Sequence, residues 1–332
     1  MDLLRPVRAF DRRQQEHPWL ALPVAVIKKF GDDQAGHLAA LMAYYAFFSL
    51  FPLLLVFVTV LGFVLEGHPG AQEAVVNSAL KDIPLIGDQI KTQSLKGSGL
   101  GLVVGIVGTL LSGLAVTLAT QRAFDRVYAI PYTRRANFLK ARIRGLGSLV
   151  LLGILQVIST AASGLVSGGF GGVWLAIAGI ALSLVLNVFL FFAVFRLLTS
   201  SEVSTSEMWP GVFSASVLWE VLQVVGGIYI GHVVKGASST YGTFATVIGL
   251  LTWIFLGARV VVYSAELNTV LARGLWPRSL LEVQTEADRE TLESLAKVEE
   301  RAAGQRISVE FERGVSPAGG PPAASEPRNP DR

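Results

Sequence analysis

An all-α integral membrane bundle of six transmembrane helices is the fold this chain predicts, and three observations predict it. Charged residues make up only 16% of the 332 positions and hydrophobic ones 52%, whereas soluble domains carry about 25% charge. Mean hydropathy is +0.52. Long stretches hold no charge at all: Leu38 to Leu65 for 28 residues, Gly97 to Gln121 for 25, and Gly145 to Phe195 for 51. A helix needs about 20 apolar residues to cross a ~30 Å hydrocarbon core, so each of the first two runs suffices for one crossing. The third is too long for one, and "SGGFGG" at 167–172 divides it into a helical hairpin. The chain thus reads as an arm (1–37), a membrane domain (38–272) and a tail (273–332).

The arm is too polar for a cleavable signal, so the first apolar run acts as an uncleaved anchor. Span one, 38–65, contains "AYYAFFSLFPLLLVF" at 43–57. In water Pro52 would cost about 3 kcal/mol inside a helix. In lipid it is tolerated where neighbours satisfy the carbonyl it frees, and Ser49, Tyr44 and Tyr45 lie one or two turns upstream. Pro52 therefore marks a kinked span. Residues 71–96 carry apolar positions at 75, 76, 79, 80, 83, 86 and 90, broken at Pro84. That pattern fits an amphipathic segment lying on the membrane or capping the bundle.

Span two, 98–121, carries a small residue at every fourth position: Gly97, Gly101, Gly105, Thr109, Gly113 and Thr117. Such a stripe admits a neighbouring helix at close range; the alternative is a sliding or substrate-lining surface. Spans three (145–167) and four (173–197) place Gln156 and Asn187 near their middles. Each amide needs a partner, most simply across the hairpin, or else lines a cavity. Span five (210–234) follows a capping box, "STSE" at 204–207, and holds Glu220; span six (242–270) holds Arg259, Tyr263 and Glu266. In the tail, "SLLE" (Ser279 to Glu282) reads as another capping box opening a helix to about 301. The Pro/Gly/Ala-rich remainder from Gly314 reads as disordered.

Sixteen basic residues fall on one side of this arrangement. They are Arg5, Arg8, Arg12, Arg13, Lys28 and Lys29 in the arm, seven between Arg122 and Arg144, Arg196, Arg273 and Arg278. The other side has Lys81, Lys91, Lys96 and Lys235. The positive-inside rule then places both termini in the cytoplasm. No basic–aromatic stacking surface accompanies these charges, so they read as topology determinants facing anionic headgroups, not as a nucleic-acid groove.

Glu220 lies about ten residues, roughly 15 Å, into span five, and Arg259 about eleven residues, roughly 16 Å, from the end of span six. Antiparallel neighbours bring such charges to one level. An unpaired charge at mid-bilayer costs at least about 2.5–3.5 kcal/mol, so a shelter is expected. It is either a structural ion pair or a polar site for substrate or protons, with Glu266 seven residues past Arg259 on the same face and Tyr263 between. The absence of cysteine excludes disulfides and thiol chemistry. The four histidines are scattered, and no metal-ligand, nucleophile or phosphate-loop motif is present. No catalytic residue, metal site or cofactor is expected.

"DQAGHLAALMAYYAFFSLFPLLLVFVTVLG" at 33–62, "TQRAFDRVYAI" at 120–130, "WPGVFSASVLWEVL" and "YGTFATVIGLLTWIFLGARVVVYSAELNTVL" together resemble the YihY/BrkB family of bacterial inner-membrane proteins across roughly residues 30–272. The family pattern falls on Tyr44, Tyr45 and Pro52, on Gly211, on Tyr241 and Gly242, and on Ala265, Glu266, Leu267 and Asn268. Ser264 and Val212 depart from its usual glycine and alanine. The resemblance implies six spans and inner-membrane residence. Members have carried a ribonuclease BN label, which this chain's residues do not support, and have been linked to serum resistance and envelope-lipid transport. The expected function is a transporter or flippase-like protein for an envelope lipid or another amphipathic anionic substrate. A non-transporting scaffold for envelope machinery is the alternative. Membrane lipids are the expected partners, with a homo-oligomer or an envelope protein as further candidates.

Overall fold

Among the described residues six long helices build the bundle, and three shorter ones gather at one of its ends. The computed structural model describes residues 5–64, 99–167, 173–229, 243–281 and 285–311; the side chains of 61, 64, 156–167, 173–180, 227–229, 243, 245 and 246 fall outside that description. Among the described residues all longer elements are α-helices: α1 (Arg5–Glu16), α2 (Pro18–Asp32), α3 (Ala35–Val64), α4 (Gly99–Val127), α5 (Phe138–Ser167), α6 (Val173–Leu198), α7 (Thr205–Tyr229), α8 (Thr243–Arg273) and α9 (Glu286–Lys297). The segment 71–96, Gly97, the lysines at 81, 91, 96 and 235, Tyr241, Gly242 and the tail beyond 311 lie outside the described residues.

Among the described residues five helices are long and apolar enough to cross a membrane: Ala35–Val60, Gly99–Val127, Ala181–Leu198, Thr205–Gly226 and Val247–Arg273. The third expected span coincides with α5, an unbroken 30-residue helix that opens on the cationic turn of Lys140, Arg142 and Arg144 and is not among the five. Only 11–28% of each apolar window is buried inside the structure. Phe48, Phe51 and Phe57 of α3, Val103, Val107 and Leu111 of α4, and Phe213, Val217 and Val221 of α7 face outward. In water such faces would be an aggregation hazard; against acyl chains they cost nothing. Some hydroxyls inside the spans are satisfied within their own helices: Thr59 donates to the Leu55 carbonyl and Thr120 to the Val116 carbonyl.

The small face of α4 sits between two helices. A Cβ at Gly105 would lie 2.9 Å from Val56 Cγ2 and 3.1 Å from the Val56 backbone nitrogen, and one at Gly108 would lie 2.9 Å from Pro52 Cβ. This edge therefore packs against α3 at its proline. Gly101 lies on the same helix and is half-buried. Gly113 meets Leu149 of α5, with 3.1 Å to its methyl groups. Pro52 itself sits inside an unbroken α3. Ser49 donates to the Ala46 carbonyl at 2.7 Å, so its hydroxyl does not cap the carbonyl that Pro52 frees.

Helix ends follow local chemistry. Pro18 occupies the first turn of α2, where its missing N–H costs nothing. Gln34, at φ 53°, turns the chain from α2 into α3. α4 stops at Ala129 (φ 51°), with Ile130 N donating to Asp125 O and Ala129 N to Arg126 O; α8 stops at Gly274 (φ 63°), with Leu275 N donating to Val270 O. Both are Schellman ends. Ser204 precedes α7, and its hydroxyl bonds Glu207 at 2.9 Å. The tail helix begins later than "SLLE" predicts: the reciprocal capping box is Thr285 with Asp288. Ser279 fails as a cap because its hydroxyl donates to Asp11 Oδ2 and its backbone N–H to Asp288 Oδ2.

Candidate functional site

The polar residues collect at two levels of the bundle. At the end that carries the arginines, Lys29 of α2 lies buried at 2% side-chain exposure between two carboxylates. Its Nζ is 2.9 Å from Glu266 Oε2 on α8, at 0% exposure, and 2.5 Å from Asp33 Oδ2. It also donates to the Val127 carbonyl at 2.9 Å, one of the carbonyls that the end of α4 leaves open. Burial opposes the ammonium, yet Glu266 and Asp33 together hold the Lys29 pKa above its ordinary value. Arg273 donates to the Tyr128 carbonyl, so two cations cap the negative end of α4.

Beside this cluster Asn268 ties three elements. Its Nδ2 donates to the Tyr128 hydroxyl at 2.9 Å and its Oδ1 accepts from the Gly211 backbone N–H at 2.5 Å. Any Cβ at Gly211 would fall inside contact distance of the Asn268 amide and the Ser264 carbonyl, which explains the glycine. Ser264 accepts from Ser214 at 2.9 Å, so the departure from glycine at 264 adds a hydrogen bond between α7 and α8.

At the deeper level the structure does not bring Glu220 and Arg259 together, contrary to the sequence expectation. Glu220 Oε1 accepts from Ser183 Oγ and from Asn187 Nδ2, both at 2.7 Å and both on α6. Asn187 thus reaches across to α7. Gln156 lies on α5 with its side chain outside the described residues. Arg259 points to α2. Its guanidinium donates to the Tyr263 hydroxyl at 3.3 Å and lies 5.5, 5.7 and 5.6 Å from the ring centres of Phe30, Phe255 and Tyr263. Phe30 and Tyr263 stack at 3.9 Å. Among the described residues no carboxylate lies within ion-pair distance of Arg259. A cavity of about 350 Å³ opens nearby, walled by Met42, Phe191, Trp219, Trp253 and Val261, with Asn187 at its polar edge.

Sequence reasoning named Glu220, Asn187, Arg259, Tyr263 and Glu266 as candidates, but not Lys29, which it read as a topology determinant, nor Asp33. A signal existed: the two stand four residues apart, the spacing of an ion pair on one helix face, directly after the apolar stretch "PWLALPVAVI". Among the described residues no group of three or more His, Asp or Glu could hold a metal.

The family model described as Virulence factor BrkB matches residues 26–285. The chain is 24% identical to the inner membrane protein YhjD of Escherichia coli over 79% of its own length and 84% of that protein. It is 23% identical to a UPF0761 membrane protein of Acinetobacter baylyi, over 77% of this chain and 63% of the relative, so it spans less than two thirds of that longer protein. A Bacillus subtilis relative named putative ribonuclease-like protein YfkH is 23% identical over 70% of this chain and 88% of its own. No solved structure matches the chain.

Proposed function

The chain belongs to the Virulence factor BrkB family, and from that premise we propose that it carries an amphipathic anionic substrate, of the envelope-lipid class, across the inner membrane. Both termini face the cytoplasm in this reading, as the distribution of lysine and arginine requires, and the chain performs no hydrolysis. The ribonuclease-like name belongs to the Bacillus relative. One observation carries the proposal: Arg259 sits inside a candidate span where, among the described residues, its polar and charged-group contacts are a tyrosine hydroxyl and three aromatic faces. Cation–π contacts supply about 0.5–2 kcal/mol each, but they bring no negative charge. A cation so placed favours an anion delivered from outside the fold. The neighbouring apolar cavity suits a hydrocarbon chain attached to that anion, with Phe30 and Tyr263 forming the wall between α2 and α8.

The alternative, a non-transporting scaffold, draws on Glu220, whose carboxylate already has two donors from its own chain and so needs no ligand. Reconstitution separates the two. Wild-type protein in liposomes should move a fluorescently tagged anionic phospholipid between leaflets. Arg259→Gln should cut that rate more than tenfold at unchanged thermal stability. Equal rates for protein and empty liposomes would favour the scaffold; movement that Arg259→Gln leaves unchanged would remove this arginine from the transport path.

A further inference from the structure

We propose that a second, separate pocket at the arginine-rich end binds a phosphoryl group, as a lipid headgroup or as free phosphate. The inference deepens the transport reading by adding a headgroup site outside the spans. The cavity measures about 550 Å³ and is lined by Asp33, Gln34, His37, Arg122, Arg126 and Arg135, among others. Two independent features give it positive character. The first is the start of α3, a 30-residue helix with no acidic residue in its first turn, set into the wall by the left-handed turn at Gln34. Helix starts attract anions through their free N–H groups and dipole. The second is the set of three guanidinium groups.

The carboxylates nearby do not cancel them. Asp33 already faces Lys29 at 2.5 Å, with Arg126 at 3.9 Å. Asp125 faces Arg135 at 4.0 Å. Arg122 has no protein partner among the described residues, and it stands one turn before Arg126 on the same face of α4. Arg135 is held in place by stacking 3.8 Å over Tyr132 and by donating its Nε–H to the Ile130 carbonyl at 3.2 Å. Planar guanidinium groups prefer paired hydrogen bonds to phosphoryl oxygens, and tetrahedral phosphate offers enough oxygens for several arginines at once.

Calorimetry on the full chain in detergent tests this with three probes: dihexanoyl phosphatidic acid, dihexanoyl phosphatidylcholine and inorganic phosphate. Phosphatidic acid should bind more tightly than phosphatidylcholine. Arg122→Gln should weaken it about tenfold, the worth of one charge-assisted hydrogen bond, and Arg122→Lys should recover part of the loss. Arg122→Gln carries the test because, among the described residues, it removes no hydrogen bond or ion pair. Inorganic phosphate binding as tightly as phosphatidic acid identifies a free-phosphate site; much weaker phosphate binding identifies a headgroup site. Undiminished binding in Arg122→Gln overturns the proposal. So does an equal loss in Arg142→Gln, whose guanidinium lies over Phe138 outside the pocket. Arginine-dependent binding without lipid movement would leave this pocket standing while removing the transport reading.

Discussion

A lysine shared by two carboxylates, all three out of contact with water, is the most consequential arrangement at the level of single residues. Lys29 is held by Glu266 and Asp33, partners that lie 237 and 4 positions away in the chain. Removing one member of a buried pair leaves an uncompensated charge and costs about 3–5 kcal/mol, whereas replacing both by apolar groups is often close to neutral. Lys29→Met should therefore lower the thermal midpoint in detergent sharply, because it takes the shared cation from both buried carboxylates. Lys29→Met combined with Glu266→Leu should recover most of the loss, although Asp33 then keeps Arg126 alone for company at 3.9 Å. A double variant no better than Lys29→Met would show that this cluster is not the anchor between α2 and α8.

Between elements, what sequence patterns reveal is depth along a helix; what they leave open is rotation about its axis. The uncharged runs give the long helices, and the heights of Glu220 and Arg259 follow from counting residues. Their azimuths do not: packing turns Glu220 toward Ser183 and Asn187 of α6 and Arg259 toward Phe30 of α2, so charges at one level face opposite neighbours. Asn268, Gly211 and Tyr128 were visible only through family resemblance, because nothing in local spacing links residues 57 and 140 positions apart. The four-residue period of small side chains on α4 was legible, since close approach needs small residues wherever the partner lies. Two glycines, one on this stripe and one on α5, predict opposite responses to the same substitution. Gly105→Ala drives a methyl toward the backbone of Val56 and should destabilise by about 1–3 kcal/mol. Gly153→Ala on α5 meets nothing within 4 Å and should stabilise by about 0.5–1 kcal/mol through reduced backbone entropy. Thermal unfolding of the two variants in the same detergent checks both signs.

Across the whole molecule, the first and last described segments are locked together over the arginine-rich end. Asp288 of α9 accepts from Lys28 at 2.9 Å, from Arg278 at 2.5 Å and from the Ser279 N–H at 3.1 Å, while Arg278 also reaches Asp32 at 2.8 Å. Asp11 of α1 accepts from Ser279 Oγ and the Leu280 N–H, and Gln14 donates to the Arg278 carbonyl. Burial works against both carboxylates, but these donors and cations prevail and hold the Asp288 and Asp11 pKa values below the ordinary aspartate range. A carboxylate depressed in the folded state stabilises that state fully above its unfolded pKa of about 3.9 and loses the contribution as pH falls toward the folded value. Docking of α9 should therefore be insensitive to pH from neutrality down to about 5 and weaken progressively below about 4. Amide hydrogen exchange across 285–297, corrected for intrinsic rates, should rise over that acid window while exchange inside α4 and α8 stays slow. Asp288→Asn removes the charge that gathers Lys28 and Arg278, so it should show the undocked exchange pattern already at neutral pH and a flatter acid response. Protection that is unchanged by both acid and Asp288→Asn would mean that apolar contacts, such as those of Ala287, and not the buried ion network, hold the two ends of the chain together.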